Sequence, residues 1–471
     1  MKSEFRTEKD SMGELHVPAD AYYGVQTQRA VENFPISGWP MPPRFIRAMG
    51  RIKHAAAKAN LDLGLLDKKI ADAIAKASTE VMEGKLDAQF PIDVFQTGSA
   101  TSTNMNANEV IASRANELLG GKRGDKSPVH PNDHVNLCQS SNDVVPTAMH
   151  LSTLEAIHDE LLPSLGALQK ELAKKAKVFD DILKIGRTHL QDATPVRLGQ
   201  EFAGYASQIE HSIARVKRAS ESLYELALGG TATGTGLNAH LEFARRAIAI
   251  MAKETELPLF EAKNHFEAQG ARDEAVEISG ALRGVAVSLA TVANNIRILS
   301  LGPRCGLQEI KLPAVQPGSS IMPGKVNPVI IESVRQVSAH VIGSDVAITL
   351  GGLESLLELN VGMPLMATHL LVNCHLLAAA SNNFAEKCVR GIEADKGRCE
   401  SLIELSLAMC TSLAPKIGYD KAAAIAKKAH ATGKTVREIA KAETGLSDSE
   451  ISALLELRPM TEPGIRGKGG E

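Results

Sequence analysis

The stretch LRGVAVSLATVANNIRIL (282–299) decides the fold class of this 471-residue chain. Its apolar side chains recur in alternating steps of three and four residues, which is the spacing of one face of a long α-helix. They are Leu282, Val285, Leu289, Val292, Ile296 and Leu299. Two further stripes have helical spacing: Leu154, Ile157, Leu161, Leu165, Leu168 and Leu172, and then Leu198, Phe202, Tyr205, Ile209, Ile213 and Val216. The sequence therefore predicts an all-α fold built on a bundle of long helices.

The helical spacing continues through 329–350 and 363–384, and Gly-rich segments lie only at the ends of the long helices (229–236, 302–306 and 316–324). Hydrophobic residues make up 44% of the chain and aromatic residues only 4%, which favours close-packed helices over sandwiches or barrels. Several apolar stripes are longer than a single domain can cover. We therefore expect the helices to associate into a homo-oligomer.

Changes in composition along the chain predict three domains. Residues 1–140 are irregular, with a helical stretch around 52–75 and loops such as PISGWPMPP (35–43), so we expect a mixed, mainly helical N-terminal domain. Residues 141–395 carry the long stripes and should form the central bundle and oligomer core. A break near 391–397 precedes shorter Ala-rich helices, which predict a small helical domain over 396–471.

Charge and cysteine usage exclude several classes of protein. The chain has 52 basic and 55 acidic residues, a formal net charge of -3, so it lacks the basic excess that a nucleic-acid partner requires. The opening MKSEFRTEKDSMG is charged, and no window reaches the apolar length needed to cross a bilayer, which predicts an unexported, cytoplasmic protein. The six cysteines are scattered without metal-ligand spacing, so neither disulfides nor a thiolate metal site is expected.

Four polar clusters interrupt this apolar scaffold. They are QTGSATSTNMN (96–106), HPNDHVNLCQSSND (130–143), GRTHLQDATP (186–195) and GSSIMPGKVNP (318–328). Any one of them could merely cap a helix or close a turn. Together they supply hydroxyl, amide and loop N–H donors with one lysine and one histidine, which suit the carboxylate groups of a small dicarboxylate.

Cofactor and metal sites are not indicated. GSSIMPGKVNP has five residues between its glycines and Val326 after its lysine, so it is not a phosphate-binding P-loop. GTGLNA (234–239) follows a helical pattern and not a strand, which argues against a dinucleotide site. His130, Asp133 and His134 suggest a metal, but Pro131 disfavours a helical pair there and no third clear ligand lies nearby. We therefore expect neither a cofactor nor a metal.

His189, beside Thr188, is a candidate for acid/base catalysis, because a histidine side chain titrates near neutral pH.

GSSIMPGKVNP is nearly identical to the signature of the fumarase/aspartase superfamily, and the whole chain resembles class II fumarases. The similarity extends through EKDSMGELHVPADAYYGVQTQRAVENFPISG, FPIDVFQTGS, HPNDHVN, QSSND, GRTHLQDATP, LALGGTATGTGLN, FEAQGARD and IGYDKAAAIAKKAH. The resemblance implies a homotetramer with a central helical superbundle and active sites assembled from three subunits. It also implies the citric acid cycle reaction of fumarate hydratase, an anti elimination of water from (S)-malate through an aci-carboxylate carbanion.

The resemblance also implies residue roles. Ser319 matches the base that removes the C3 proton of malate, His189 the residue that handles the departing water, and Glu332 its charge-relay partner. Matches to substrate-binding residues are Ser99, Thr101, Ser140, Ser141, Asn142, Thr188, Ser320, Lys325 and Asn327, the last two facing the carboxylate that accumulates charge. Matches to a second dicarboxylate site are His130, Asn132 and Asp133.

Two departures from the family pattern and two alternatives remain. Ala100 stands where fumarases commonly have glycine, and Ser127 lies near a position where some members carry arginine. An aspartate ammonia-lyase (aspartase) shares the fold and the base loop, although QSSND and His189 favour a fumarase. A structural protein that has lost catalysis is the other alternative, and the retained Ser319 and Lys325 argue against it.

Overall fold

The computed structural model describes residues 5–464 and separates into two compact units. The first comprises Met1–Pro163, Ser212–Ala286 and Val337–Ala378, as far as these are described, and the second comprises Ser164–His211, Val287–Gln336 and Ala379–Glu471 within the same limits. Each unit thus collects segments that are distant in sequence. The division into 1–140, 141–395 and 396–471, which follows composition, stays a prediction.

Helices dominate the described part of the chain. The N-terminal part contains β1 (Phe5–Asp10), β2 (Gly13–Pro18), α1 (Val25–Asn33), α2 (Pro43–Asp62), α3 (Lys68–Met82), α4 (Thr101–Leu118) and α5 (Ser141–Ala156). The central part contains α6 (Leu162–Val178), β3 (Leu183–Thr188), β4 (Gln191–Arg197), α7 (Leu198–Ser220), β5 (Glu225–Leu226), α8 (Phe243–Thr255), β6 (Phe260–Glu261), α9 (His265–Gly270), α10 (Asp273–Leu299), β7 (Ile310–Lys311), α11 (Val329–Leu353), β8 (Ser355–Leu356), β9 (Leu359–Asn360) and α12 (Met363–Lys387). The C-terminal part contains β10 (Glu393–Ala394), α13 (Lys396–Ile403), α14 (Ala414–Ile417), α15 (Tyr419–Thr432), α16 (Val436–Glu443), α17 (Asp448–Leu454) and α18 (Leu457–Met460).

The apolar stripes lie on long helices, as predicted. Every residue of the stripe on α10 is buried, and so is every residue of the stripe from Leu154 to Leu172, which runs from α5 into α6 through a single π-helical turn, Ile157–Leu161. On α7, Leu198, Phe202, Ile209 and Val216 are buried, whereas Tyr205 and Ile213 are half-buried. The all-α class is confirmed, and the periodicity correctly identified the buried faces.

The strands among residues 5–464 form five two-stranded sheets: β1–β2, β3–β4, β7–β10 and β8–β9, which are antiparallel, and β5–β6, which is parallel. Such small sheets do not change the fold class. The β3–β4 hairpin nevertheless matters, because it carries one of the polar clusters.

Two expectations from the sequence were wrong. The helical stretch around 52–75 is two helices, α2 and α3, separated by a turn in which Gly64 has a φ of +71°. Moreover, α10 and the segment Met363–Gly391 are long and apolar enough to cross a membrane by length and composition alone. Within the chain, 50% of the apolar window is buried in the first and 61% in the second, and buried core helices of a bundle meet the same criteria.

Candidate active site

The N-termini of α4 and α5 converge in the first unit. Thr101 begins α4 and Ser141 begins α5, and their hydroxyl oxygens lie 2.8 Å apart. The hydroxyl of Ser99 extends this chain, with its Oγ 2.8 Å from Thr101 Oγ1. A helix N-terminus presents unpaired N–H groups and partial positive charge, so two of them lined with hydroxyls form a site suited to a carboxylate.

The turn before α4 adopts a strained backbone. Ala100 caps the helix with φ +52° and ψ +28°, the left-handed conformation in which a residue with a Cβ costs about 1–2 kcal/mol. The neighbouring Gly98 lies against another segment: a Cβ there would be 2.0 Å from the carbonyl oxygen of Val361. The Gly98 carbonyl accepts a hydrogen bond from the N–H of Met363 at 3.1 Å. The turn thus keeps a conformation that favours glycine although this chain carries Ala100.

The N-terminus of α5 is held by a capping box. Ser140 accepts from the N–H of Asn142 at 3.2 Å, and the Ser140 N–H donates to Asp143 Oδ1 at 2.9 Å. The other oxygen of Asp143 accepts from the N–H groups of Gly229 and Thr231, at 2.9 and 3.0 Å. Burial raises the pKa of Asp143, whereas these donors act in the opposite direction. This turn is therefore held against the Gly-rich 229–236 segment, where Asn142 Nδ2 also donates a hydrogen bond to the carbonyl of Ala232, at 2.8 Å.

Sequence reasoning missed a buried lysine behind this turn. Lys53, on α2, has no exposed surface, and its ammonium donates to Asn136 Oδ1 and Gln139 Oε1, both at 2.9 Å. Burial lowers the pKa of Lys53 from 10.5 to about 7. The burial of Lys53 could have been predicted from its position in the sequence, because it follows Ile52 on the buried face of an Ala-rich helix. Lys53 fixes the segment that immediately precedes Ser140.

His189 lies at the tip of the β3–β4 hairpin, in the second unit. Thr188 pairs with Gln191, and the two residues between them, His189 and Leu190, both have left-handed backbones, with φ of +56° and +60°. Both side chains are exposed. Such a turn usually contains glycine or asparagine, and neither is present at these two positions, so no local pattern predicts a hairpin here. The hairpin presents Thr188 and His189 together.

The base of this hairpin is fixed by buried charges. Arg187 Nη1 donates to both carboxylate oxygens of Glu309, at 3.0 and 2.9 Å, and Glu309 is fully buried. The Lys184 ammonium lies 3.4 Å from Glu309 Oε2 and donates to Glu201 Oε1 at 2.8 Å. These groups were not among the sequence-predicted site residues. The positive charges of Lys184 and Arg187 compensate the negative charges of Glu201 and Glu309 in a site that is largely shielded from water.

The GSSIMPGKVNP segment forms a loop with a narrow neck. The Gly318 N–H donates to the Lys325 carbonyl at 2.9 Å, and Asn327 Nδ2 donates to the Gly318 carbonyl at 2.5 Å. A Cβ on Gly318 would lie 2.3 Å from the Lys325 oxygen, so only glycine fits. Inside the loop, Ser319 Oγ accepts from the N–H groups of Ile321 and Met322, at 3.3 and 3.0 Å. Two amide donors on one hydroxyl oxygen favour its deprotonated form.

The remaining predicted residues of this region are exposed. Ser320 and Lys325 lie on the loop, and Glu332 lies in the first turn of α11. Within residues 5–464, the side chains of Lys325, Glu332 and His189 have no hydrogen-bond or ion-pair partner. Glu332 and His189 are thus not paired within this chain.

His130 caps a five-residue π-helical turn, Pro131–Val135, and Asn132 and Asp133 lie within that turn. Nδ1 of His130 lies 3.2 Å from the backbone nitrogens of Asn132 and Asp133 and from Asp133 Oδ2, so it is engaged locally. A cavity of about 260 Å³ adjoins the turn and is lined by Asp10, Ser11, Gln26, Met105, Glu109, Lys126, His130, Pro131 and Asn132. Lys126, beside Ser127, lines this cavity together with two acidic residues, Asp10 and Glu109. In the part of the chain that the structure describes, no group of three His, Cys, Asp or Glu residues could hold a metal ion.

Comparisons with known proteins show which family the chain belongs to. Residues 13–343 match a lyase family model, and residues 409–462 match the model of the fumarase C C-terminus. The chain is 55% identical to the class II fumarate hydratase of Halobacterium salinarum over 465 residues, which cover 99% of each chain. The chain belongs to the class II fumarase family. It is also 55% identical, over 438 residues, to the mitochondrial fumarate hydratase of Danio rerio, covering 93% of this chain and 86% of that one.

Solved structures of fumarases have the same fold. The class II fumarase from Schistosoma mansoni superimposes with a TM-score of 0.95 at 40% identity, covering 98% of this chain and all of that one. A protein described as fumarate lyase:delta crystallin from Brucella melitensis, bound to cobalt, superimposes with a TM-score of 0.94 at 46% identity. This superposition also covers 98% of this chain and all of that one. The fold expected from the sequence is that of this family.

Proposed function

We propose that this chain is a fumarate hydratase that reversibly adds water to fumarate to give (S)-malate. The observation that carries the proposal is 55% identity to a class II fumarate hydratase over 99% of both chains. The site is chemically suited to this reaction. In the first unit, the converging N-termini of α4 and α5, with the hydroxyl oxygens of Thr101 and Ser141 2.8 Å apart, offer neutral donors for a carboxylate. In the second unit, taken by itself, the exposed Lys325 offers a cation.

We infer that Ser319 is the base. A serine hydroxyl is too weak to remove a carbon-bound proton unaided, so it requires stabilisation of its alkoxide. The N–H groups of Ile321 and Met322 supply two donors to Ser319 Oγ, and Lys325 on the same loop supplies positive charge. Lys325 and Asn327 would bind the carboxylate on which the carbanion's charge accumulates, and Ser320 would contact the substrate beside them.

His189 would protonate the departing hydroxyl group of malate. Thr188, beside it, would bind the substrate. Glu332 is the proposed charge-relay partner of His189. Because the two side chains do not meet within this chain, we infer that His189 of one subunit faces Glu332 of another. That inference agrees with active sites assembled from three subunits of a homotetramer, as the family resemblance implies.

An exposed apolar stripe supports this assembly. Ile342, Val346 and Leu350 follow each other at steps of four residues on α11 and are 38%, 59% and 56% exposed. Leu353 continues the stripe at 72% exposure. A second copy of the chain would bury these side chains in a helical core. Light scattering on a dilute sample should give four chains, and a fully active monomer would contradict the shared site.

We further propose that His130, Asn132 and Asp133 line a second dicarboxylate site, with Lys126 as its cation. The adjoining cavity supports this assignment. We propose a cytoplasmic location, supported by six unpaired thiols, of which Cys138, Cys374, Cys388 and Cys399 are buried.

The test of the function is direct. Absorbance in fumarate's ultraviolet band should rise when the protein receives malate and stay flat when it receives aspartate. Ammonia release from aspartate at a comparable rate would instead assign the chain to the aspartases. No reaction with either substrate would favour a scaffold that has lost catalysis.

A further inference from the structure

We propose that Arg187, held by Glu309, is a positioning residue for His189. The pair aligns the imidazole without touching the substrate. The inference rests on the proposed hydratase function and deepens it, because it assigns a role in turnover to buried charges at the base of the hairpin.

The first observation is the placement of Arg187. It lies two residues before His189 on β3, and its Nη1 is 3.0 and 2.9 Å from the two oxygens of Glu309. Its side chain is 12% exposed and that of Glu309 is not exposed at all. A charge-assisted contact of this kind, in a nearly dry site, has little freedom to change its geometry.

The second observation is that Glu309 is itself anchored. Its N–H donates to the carbonyl of Leu299, the last residue of α10, at 2.9 Å. Its carboxylate also lies 3.4 Å from the Lys184 ammonium. Lys184 and Arg187 both belong to β3, so the buried carboxylate of Glu309 holds this strand at two points. The backbone of Glu309 is in turn hydrogen-bonded to the C-terminal end of α10.

The third observation concerns what remains to hold His189. Within residues 5–464 its side chain has no hydrogen-bond or ion-pair partner, and it sits at an exposed tip with Leu190, both in the left-handed region. Within the chain, the position of the imidazole therefore depends on the backbone of the hairpin, which also determines how His189 reaches a partner on another subunit. Displacing a reacting group by about 1 Å can cost about a hundredfold in rate.

The experiment compares Arg187→Met with the parent and combines it with His189→Asn. In the parent background, Arg187→Met should lower kcat for malate about a hundredfold, with KM changed by less than about threefold, because the donors of Thr101 and Ser141 lie elsewhere. In the His189→Asn background, Arg187→Met should cause almost no further loss. A residue that acts through His189 has nothing left to position when the imidazole is absent.

The outcomes are distinguishable. An equal loss in both backgrounds would show general structural damage and overturn the inference, and so would an unchanged kcat in the single variant. If Arg187→Met fails to fold, Arg187→Lys retains the charge but not the same bridging geometry. It should also lower kcat in the parent background and not in the His189→Asn background, by a smaller factor.

Arg197→Met is the matched control. Arg197 binds Asp180 at 2.9 Å at the far end of β4, so turnover should be preserved. An inactive parent would refute the proposed function and, with it, the positioning role that rests on it, whereas an equal loss in both backgrounds, or an unchanged kcat, in an active enzyme overturns the positioning role alone.

Discussion

The hydroxyl oxygens of Thr101 and Ser141 lie 2.8 Å apart, although the two residues begin different helices and are separated by 40 positions in the sequence. This contact shows that α4 and α5 present their N-terminal ends to the same place. Their partial positive charges add there, and the hydroxyls supply donors without introducing a full charge. The relationship makes the pair the centre of the proposed carboxylate site in the first unit.

Removing the hydroxyl of Thr101 should therefore weaken substrate recognition. A hydrogen bond to a charged group contributes about 1.5–3 kcal/mol, so Thr101→Val should lower kcat/KM for malate about tenfold to a hundredfold. Thr101→Ser keeps the hydroxyl and should stay within a few-fold of the parent. Steady-state kinetics of both variants test the prediction. A loss in Thr101→Ser, with Thr101→Val near the parent level, would show that the methyl group, not the hydroxyl, matters.

Gly98→Ala should disturb the same site through the backbone. The added Cβ would lie 2.0 Å from the Val361 carbonyl oxygen, which is a main-chain atom that cannot rotate away. Overpacking of this kind costs about 1–3 kcal/mol, so thermal unfolding should shift down and kcat/KM should fall. Gly166, in the interior of α6, has open space around its Cβ position. Gly166→Ala should therefore stabilise the protein, by about 0.5–1 kcal/mol, and a similar loss in both variants would contradict the argument.

Lys53 should make stability depend on pH. Its pKa is about 7 in the folded chain and 10.5 without burial, so between these values the unfolded chain binds a proton that the folded chain does not. The free energy of unfolding should rise with pH in this window, by up to about 1 kcal/mol per pH unit. Denaturant unfolding at fixed protein concentration, at pH 7.5 and 9.5, should show this rise in the parent relative to Lys53→Met. A difference between the two proteins that is independent of pH would refute it.

The long helices were predictable from the sequence because apolar periodicity is a local property. Leu282 and its companions on α10 needed only their own spacing to be placed on a buried face. The left-handed turn at His189 and Leu190 was not predictable, because neither residue is glycine or asparagine. The strand pair is stabilised by contacts outside the hairpin, which no local pattern contains.

The same reason explains the buried charges that were missed. Lys53 and Asn136 are 83 positions apart, and Arg187 and Glu309 are 122 positions apart. A charged residue in a sequence looks like a surface residue until its partner is known, because burial of a charge is tolerated only when distant groups compensate it. Motif spacing could indicate Ser319 and His189 but not the groups that hold them.

Activity should not depend on a metal ion. In the described residues no trio of metal-ligating side chains is assembled, and Nδ1 of His130 is engaged by neighbouring groups. Turnover of malate should therefore persist after prolonged dialysis against a chelator. A loss of activity that a divalent metal restores would contradict this prediction, and a variant lacking the His130 imidazole would then show whether that turn holds the ion.

Variants of the proposed base, Ser319, and of the proposed water-handling group, His189, should lose activity in different ways, because the two residues lie on separate segments. Ser319→Ala removes the hydroxyl that two amides activate, and a positioned base contributes about two to four orders of magnitude in rate. Turnover and the exchange of malate's C3 proton with solvent should collapse together, while the oligomer and dicarboxylate binding remain. Deuterium incorporation into malate, measured beside net dehydration, gives both rates.

His189→Asn should slow dehydration severely but spare part of the proton exchange. In the proposed order the carbanion forms before the hydroxyl leaves, so Ser319 can still remove and return the C3 proton when the hydroxyl cannot be protonated. The ratio of exchange to dehydration should therefore rise in the His189 variant and not in the Ser319 variant. If Ser319→Ala instead retained both rates near the parent level, the hydroxyl held by the N–H groups of Ile321 and Met322 would only stabilise its own loop. The 318–328 segment would then be a binding lid, and the proton acceptor would have to lie on another segment.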